Sequence, residues 1–351
     1  MYKSRSLLTA FSFVLAVSAL TGCSSANANT PGTASSTAPA TVSAEVSETE
    51  TIPEQANSEP LSVVCTIFPE YDWVKEILGE HIENAELTYL LDNGVDLHSY
   101  QPTTDDIMKI SACDLFVYVG GESDEWVEDA LAEATNKDMK VVNLMDVLGD
   151  SAKVEELKEG MQGEDEHEHE EDEIEYDEHV WLSLKNAKVL CAEIEKNIEA
   201  IDPANAADYK ANLDSYTAKL SDLDSNFQTL VDASSVKTLV FGDRFPFRYF
   251  VDDYSLDYYA AFIGCSAETE ASFETIAFLA DKVKELDCDT VFTLENSDKS
   301  IAETIISTSG KSVDIAELNS LQSVSDDEIA GGTSYLSLMQ KNYDVLSDVL
   351  K

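Results

Sequence analysis

Residues 205–231 read NAADYKANLDSYTAKLSDLDSNFQTLV. Tyr209, Leu213, Tyr216, Leu220, Leu223, Phe227 and Leu230 alternate steps of four and three, one narrow apolar seam along a helix of roughly 40 Å at 1.5 Å per residue. Coiled-coil pairing is the other use of such a seam. A single long helix between two blocks of alternating strands and helices is more economically a strut packed along the backs of both, and the chain is expected to act as a monomer.

Upstream of the strut, apolar runs at 61–67, 86–91, 115–119 and 140–144 read as strands, separated by stretches of helical spacing at 71–78, 103–111 and 124–135. A further helix is expected over 185–200. Downstream, 238–241, 258–263, 290–294 and 312–315 read as strands, with helices over 246–254, 273–286, 301–308 and 326–350. Strands alternating with helices give parallel sheets covered on both faces. The fold class is therefore α/β: two lobes, 61–203 and 234–351, each with a small parallel sheet flanked by helices, joined by one long rigid helix over 204–233. Ligands of open parallel sheets bind beyond the carboxyl ends of the strands, so the polar residues just after each strand are the ones to inspect.

Within the first lobe, residues 164–183 read EDEHEHEEDEIEYDEHVWLS. An acidic run carrying His167 and His169 gives way at His179 to an apolar, structured segment containing Trp181. A block of like charge is ordinarily a solvated loop. Two histidines one residue apart and a third just beyond, all among carboxylates, suit Zn²⁺, with Mn²⁺ and other first-row divalents as competitors. The loop over 164–178 is then an auxiliary metal-collecting segment. His98, in the strand-to-helix loop DNGVDLHSYQP after residue 91, lies at the ligand edge of the first sheet, whereas His81 has no such setting and reads as surface. The second lobe contains no histidine. Its oxygen donors at strand ends are Asp243 and Glu295, with Asp314 and Asn319 around its last strand.

The 351-residue chain has a formal net charge of −47, which excludes nucleic acid, whose phosphates require Lys and Arg, and favours cationic ligands. A hydrophobic content of 44% leaves ample material for a core beneath that charge. At the N-terminus, Lys3 and Arg5 precede an apolar run over 7–20 that is too short to span a membrane and ends in Leu20-Thr21-Gly22-Cys23. That ending resembles the bacterial lipobox, which implies a signal peptide over 1–22 and a lipid on Cys23, anchoring the protein to the membrane outside the cytoplasm. Residues 23–60, rich in Ser, Thr, Ala, Pro and Glu, read as a disordered tether. Cys65, Cys113, Cys191, Cys265 and Cys288 lie within apolar segments without zinc-knuckle spacing and read as mostly buried free thiols.

From residue 61 to the C-terminus the sequence resembles the zinc- and manganese-type solute-binding lipoproteins of bacterial ABC transporters. The landmarks are TIFPEY at 66–71, DLHSYQP at 96–102, DLFVY at 114–118 with WVE at 126–128, DEHVWL at 177–182, and Glu295 at a strand end. The resemblance implies a single metal ion in the interlobe cleft, histidine ligands at His98 and His179, delivery to an ABC permease, and, for some relatives, surface adhesion. It also exposes a departure. Where the family carries His or Glu after the first strand of the second lobe, this chain has Arg244, which stays protonated and cannot ligate a cation. Asp243 is the expected substitute, with Glu295 as the other oxygen and Arg244 pairing with a carboxylate such as Glu295; the family's fourth ligand aligns with the weaker donor Asn319.

Three functions are open to such a chain. The first is capture of Zn²⁺, or Mn²⁺, without chemistry. The second is an anionic or organic ligand clamped by Arg244, the usual bidentate partner of carboxylate or phosphate. The third, a zinc hydrolase with Glu295 or Asp243 as base, lacks an HExxH or nucleophile-elbow pattern.

Overall fold

Pro60 and the apolar run behind it set the first strand. The computed structural model describes residues 60–351 apart from 93, 164–174 and 267–269. The expected signal peptide, Cys23, the tether up to 59, and His167 and His169 lie outside the described residues. Strand β1 (Leu61–Cys65) has Val63, Val64 and Cys65 wholly buried, as a strand covered on both faces requires. Helix α1 (Phe68–Leu78) follows at once. The Glu70 carboxylate accepts hydrogen bonds from Thr66 N (2.8 Å), Thr66 Oγ (3.0 Å) and Ile67 N (3.2 Å), satisfying donors that a helix start leaves open. Pro69 sits in the first turn, where no N–H is missed.

The first lobe continues as β2 (Ala85–Tyr89), α2 (Thr104–Ala112), β3 (Leu115–Tyr118), α3 (Trp126–Ala132), β4 (Lys140–Asn143) and α4 (Leu144–Leu148). All strand pairs are parallel, in the order β2-β1-β3-β4. Helix α3 is shorter than the apolar spacing predicts, because Thr135 N and Asn136 N turn away to donate to Ser111 O (2.9 and 3.0 Å). Helix α4, absent from the sequence reading, begins where the fourth strand was expected to end: Asn143 Oδ1 accepts Asp146 N (3.1 Å) and caps it.

Helix α5 (Leu184–Ile201) leads to the strut, α6 (Ala206–Ala233), of 28 residues. Its buried stripe runs Tyr209, Leu213, Tyr216, Leu220, Leu223, Phe227 and then Val231 rather than Leu230. A strict heptad repeat drifts around a straight helix of 3.6 residues per turn, and the last buried position moves on by one.

The second lobe contains β5 (Thr238–Val240), β6 (Arg244–Phe245), α7 (Arg248–Tyr254), β7 (Asp257–Tyr259), β8 (Phe262–Ile263), α8 (Phe273–Glu285), β9 (Thr290–Leu294), α9 (Ser300–Ser309), β10 (Asp314–Leu318), α10 (Asp326–Ala330) and α11 (Tyr335–Val349). The parallel pairs β5-β7 and β9-β10 are joined through the bridge Phe241–Phe292, giving the order β7-β5-β9-β10. The expected single strand over 258–263 is two, because Ala261 N and Phe262 N both donate to Asp243 O (3.1 and 3.4 Å), turning the chain to pair β8 with β6. The expected closing helix over 326–350 is also two, broken at Gly331–Gly332, where Gly332 has φ of 94°. Strut α6 touches α1 and α5 of the first lobe and α7 and α11 of the second.

One apolar core runs from Val63 through the strut to Leu350, and a smaller cluster centred on Val240, Leu279 and Val291 lies in the second lobe. The lobes are stitched through buried polar contacts. Trp181 Nε1 donates to Ser320 O (2.8 Å), Tyr335 Oη donates to Trp181 O (2.6 Å), and Tyr335 N donates to Asp72 Oδ2 (2.8 Å). The Trp73 and Tyr335 rings meet edge to face at 5.2 Å. Burial pushes the Asp72 carboxyl up to about 6, more than the Tyr335 N–H brings it down.

A carboxyl whose folded value exceeds its unfolded value costs stability once ionised. For Asp72 the cost is absent below about pH 4, grows through about pH 6, and amounts to ~3 kcal/mol above that. Asp72→Asn keeps an oxygen for Tyr335 N without the charge. Its unfolding free energy relative to wild type is expected to rise by up to ~3 kcal/mol between about pH 4 and pH 8 in denaturant titrations, and a pH-independent difference would refute the assignment.

Candidate metal centre

His98 lies on a single helical turn, Leu97–Ser99, in the loop between β2 and α2, where Asp96 Oδ1 accepts its backbone N–H (3.0 Å). His179 lies at the mouth of the turn Val180–Leu182 before α5, with its backbone N–H held by Asp177 Oδ1 (2.9 Å). Both rings are aimed from behind. His98 Nδ1 is 2.8 Å from Ser123 Oγ and 3.4 Å from Glu178 Oε2, and Ser123 Oγ itself donates to Glu178 Oε2 (2.6 Å). His179 Nδ1 is 3.1 Å from Asp177 Oδ1. Carboxylates accept only, so these contacts place an N–H at Nδ1 of each ring and leave the Nε2 atoms facing inward. Burial alone would raise the Glu178 carboxyl, but hydrogen bonds and charge from His98, with the Ser123 contacts, hold it below the usual range.

The two Nε2 atoms are 3.2 Å apart and the ring centroids 5.1 Å. Zinc binds imidazole nitrogen at about 2.0–2.1 Å, and two such bonds at a tetrahedral angle put the nitrogens roughly 3.3–3.4 Å apart. The pair is thus spaced like one edge of a zinc tetrahedron before any ion is added. A cavity of about 460 Å³ opens beside His98, lined across the gap by Arg244, Ser266 and Asn296.

A third donor converges on this edge, and it is not one that the sequence reading placed there. Among the described residues, His98, His179 and Cys265 are the group whose ligand atoms all lie within 4.8 Å of one another. Cys265 follows β8 on a tight turn, in which Ser266 N reaches Ile263 O (3.4 Å). Gly264 allows the approach: a Cβ there would lie 2.9 Å from His179 Cε1 and from Phe245 O. Burial, then the charges of Asp177, Glu155 and Glu178, push the Cys265 thiol well up, so in the absence of an ion it holds its proton. The half-buried Glu155 is pushed up to about 7 by burial and Asp177, against hydrogen bonds from Cys265.

Of the expected oxygen ligands, Asp243 lines the cavity beside His98 and Glu295 does not, and both side chains are held by backbone N–H groups. Asp243 Oδ1 accepts Arg244 N (2.9 Å) and Oδ2 accepts Leu294 N (3.2 Å), so the side chain fastens β6 to β9. Glu295 accepts Ser320 N (2.7 Å) and Ser320 Oγ (2.5 Å), and burial raises its carboxyl. Neither joins the cluster of three. Asn319 Oδ1 accepts Leu321 N (2.8 Å). Arg244 pairs with Asp96 (Nη2 to Oδ2, 2.6 Å) rather than with Glu295, and Nη1 donates to Ser266 O (3.3 Å). Burial would raise Asp96, but Arg244 holds it below the usual carboxylate range. His81, read as surface, is half-buried and meets Asp208 of α6 at 2.9 Å.

The sequence reading groups Cys265 with the structural thiols. The rule that singled out Asp243 and Glu295, inspection of the residues just after a strand, applies equally to Gly264-Cys265-Ser266. Cys65, Cys113 and Cys191 are buried as expected, while Cys265 and Cys288 are only half-buried.

A family model described as zinc-uptake complex component A, periplasmic, matches residues 63–349. The zinc-binding protein AdcA of Streptococcus pyogenes serotype M6 is 28% identical over 298 residues, which cover 82% of this chain and 55% of that protein; the chain spans about half the length of such relatives. The high-affinity zinc uptake system protein ZnuA of Bacillus subtilis is 29% identical over 300 residues, 84% of this chain and 89% of that protein. Among solved structures, the Zn(II)-bound ZnuA-like domain of Streptococcus pneumoniae AdcA superposes with a TM-score of 0.65 at 27% identity, covering 83% of this chain and 99% of that domain.

The carboxylates behind the imidazoles supply a direct test. Asp177→Asn and Glu178→Gln should each weaken zinc affinity by about 10–100-fold while leaving the far-ultraviolet circular dichroism unchanged. Affinities equal to wild type in competition titrations would mean that the rings need no such support.

Proposed function

This chain belongs to the family of the periplasmic component A of zinc-uptake complexes, and on that premise we propose that its cleft captures Zn²⁺ outside the cytoplasm and delivers it to an ABC permease. One observation carries the reading: two imidazole nitrogens from different loops, each oriented by a carboxylate, face each other at 3.2 Å. Transferring an ion requires no bond-making in a substrate. The oxygens that a hydrolase would use as a base, on Asp243 and Glu295, are engaged by backbone N–H groups.

The clamp of an organic anion by Arg244 is the weaker reading. Its guanidinium is paired with Asp96 and with the Ser266 carbonyl, and the surrounding chain carries a net charge of −47. Mn²⁺ is the competing cation, and imidazole donors favour Zn²⁺ over it.

In this reading the lobes over 61–203 and 234–351 flank the strut over 204–233, a lipid on Cys23 holds the monomer at the membrane, and the tether lets its cleft reach the permease. The acidic segment over 164–178, with His167 and His169, collects ions weakly close to the cleft and so raises their local supply.

Native mass spectrometry of the full chain purified without added metal is expected to show one divalent ion, lost in His98→Ala and His179→Ala; an organic adduct in its place would support the Arg244 reading instead. Deleting 164–175 should slow zinc capture at limiting zinc without changing the affinity of the cleft. An unchanged capture rate would remove the segment from the mechanism.

A further inference from the structure

We propose that Cys265 is a zinc ligand: its thiolate completes a His98–His179–Cys265 triad and supplies the site with a donor from the second lobe. This deepens the zinc-capture reading and rests on it. The three ligand atoms lie within 4.8 Å of one another, and the two nitrogens are already at a tetrahedral edge. With Zn–S at about 2.3 Å and Zn–N at about 2.0–2.1 Å, a tetrahedral N···S edge is roughly 3.6 Å, so the sulfur needs a displacement of at most about 1 Å to complete the face.

The surroundings hold the sulfur where it is wanted. Gly264 lets the turn press against the His179 ring, since any side chain there would meet the imidazole. Arg244 straps that turn to the His98 loop: one guanidinium nitrogen holds the Ser266 carbonyl and the other holds Asp96, whose second oxygen accepts the His98 N–H. Arg244 therefore acts as a positioning residue, fixing two ligands from the two lobes. The competing oxygen donors, Asp243 and Glu295, are committed to backbone N–H groups.

Coordination breaks the Cys265 S–H bond and forms a zinc–sulfur bond; the proton passes to solvent and no electrons are transferred. Two neutral imidazoles and one thiolate leave a fourth position for water or an incoming donor. Thiolate is a soft ligand and discriminates for Zn²⁺ against Mn²⁺, which prefers oxygen.

The test uses the full chain loaded with Co²⁺ as a spectroscopic stand-in for zinc, together with thiol mapping. Wild type is expected to show a sulfur-to-cobalt charge-transfer band that disappears in Cys265→Ser. Bound zinc should protect Cys265 from alkylation while leaving Cys288 as reactive as in the metal-free protein. Zinc affinity in Cys265→Ser should fall by at least tenfold, with a smaller loss for Mn²⁺, and Cys265→Asp should recover part of the zinc affinity with a diminished preference over Mn²⁺. A wild-type protein that binds one zinc ion but shows neither the band nor the protection overturns the thiolate ligand and leaves zinc capture standing. A wild-type protein that binds no zinc overturns both. The band and the protection are read on wild type, so they decide the matter even if a variant misfolds.

Discussion

Two imidazoles cannot be held 3.2 Å apart, lone pair to lone pair, unless the fold supplies the restraint. Here it comes from the opposite side of each ring, where Asp177 accepts a hydrogen bond from Nδ1 of His179 and the Ser123–Glu178 pair accepts one from Nδ1 of His98. Those partners are themselves fixed. Asp177 also caps the His179 backbone, and Ser123 N donates to Glu178 Oε1 (2.9 Å). Strand order, loop length and the turn before α5 all serve to bring these groups to one place. The family relationship agrees with that chemistry, and it adds the expectation of a carrier rather than a catalyst.

Much of this could be read from residues alone, and the limits have physical causes. The parallel sheets followed from buried apolar runs such as 61–65 and 290–294, because strands covered on both faces leave a strong periodic trace. Helix α4 and the break at Gly331–Gly332 left a weaker trace, since five-residue helices and single glycines are decided by tertiary hydrogen bonds. That His98 and His179 stand out from the other polar residues was legible because histidine is scarce in this chain, with five in 351 residues, and the fold brings the two rings together. Asp243 and Glu295 were plausible by position, but position does not reveal which oxygen a backbone N–H has already claimed. Cys265 was hidden for the opposite reason. A thiol among apolar neighbours looks structural until the turn at Gly264 brings it against a ring.

Electrostatics divides the molecule into two regimes. Among the described residues most carboxylates lie at the surface, whereas a few sit inside and do specific work. Asp96 is kept ionised by Arg244, Glu178 by His98 and Ser123, and Asp72 is raised to about 6 while anchoring the start of α11. A chain with so few basic residues has placed one of them, Arg244, on the wall of the cleft and has joined it to the loop that carries His98.

The stitches through Trp181, Ser320 and Tyr335, laid across a single apolar core, bear on how the cleft can open. Swinging the halves apart like a jaw would strip tryptophan and tyrosine from their oil-like packing and unmake hydrogen bonds that water reaches only after the damage is done. At the rim, by contrast, the cleft is closed by one short turn and by the Arg244 guanidinium, which donates to Ser266 O and Asp96 Oδ2. Access to the two rings is therefore a matter of that local latch rather than of separating the halves.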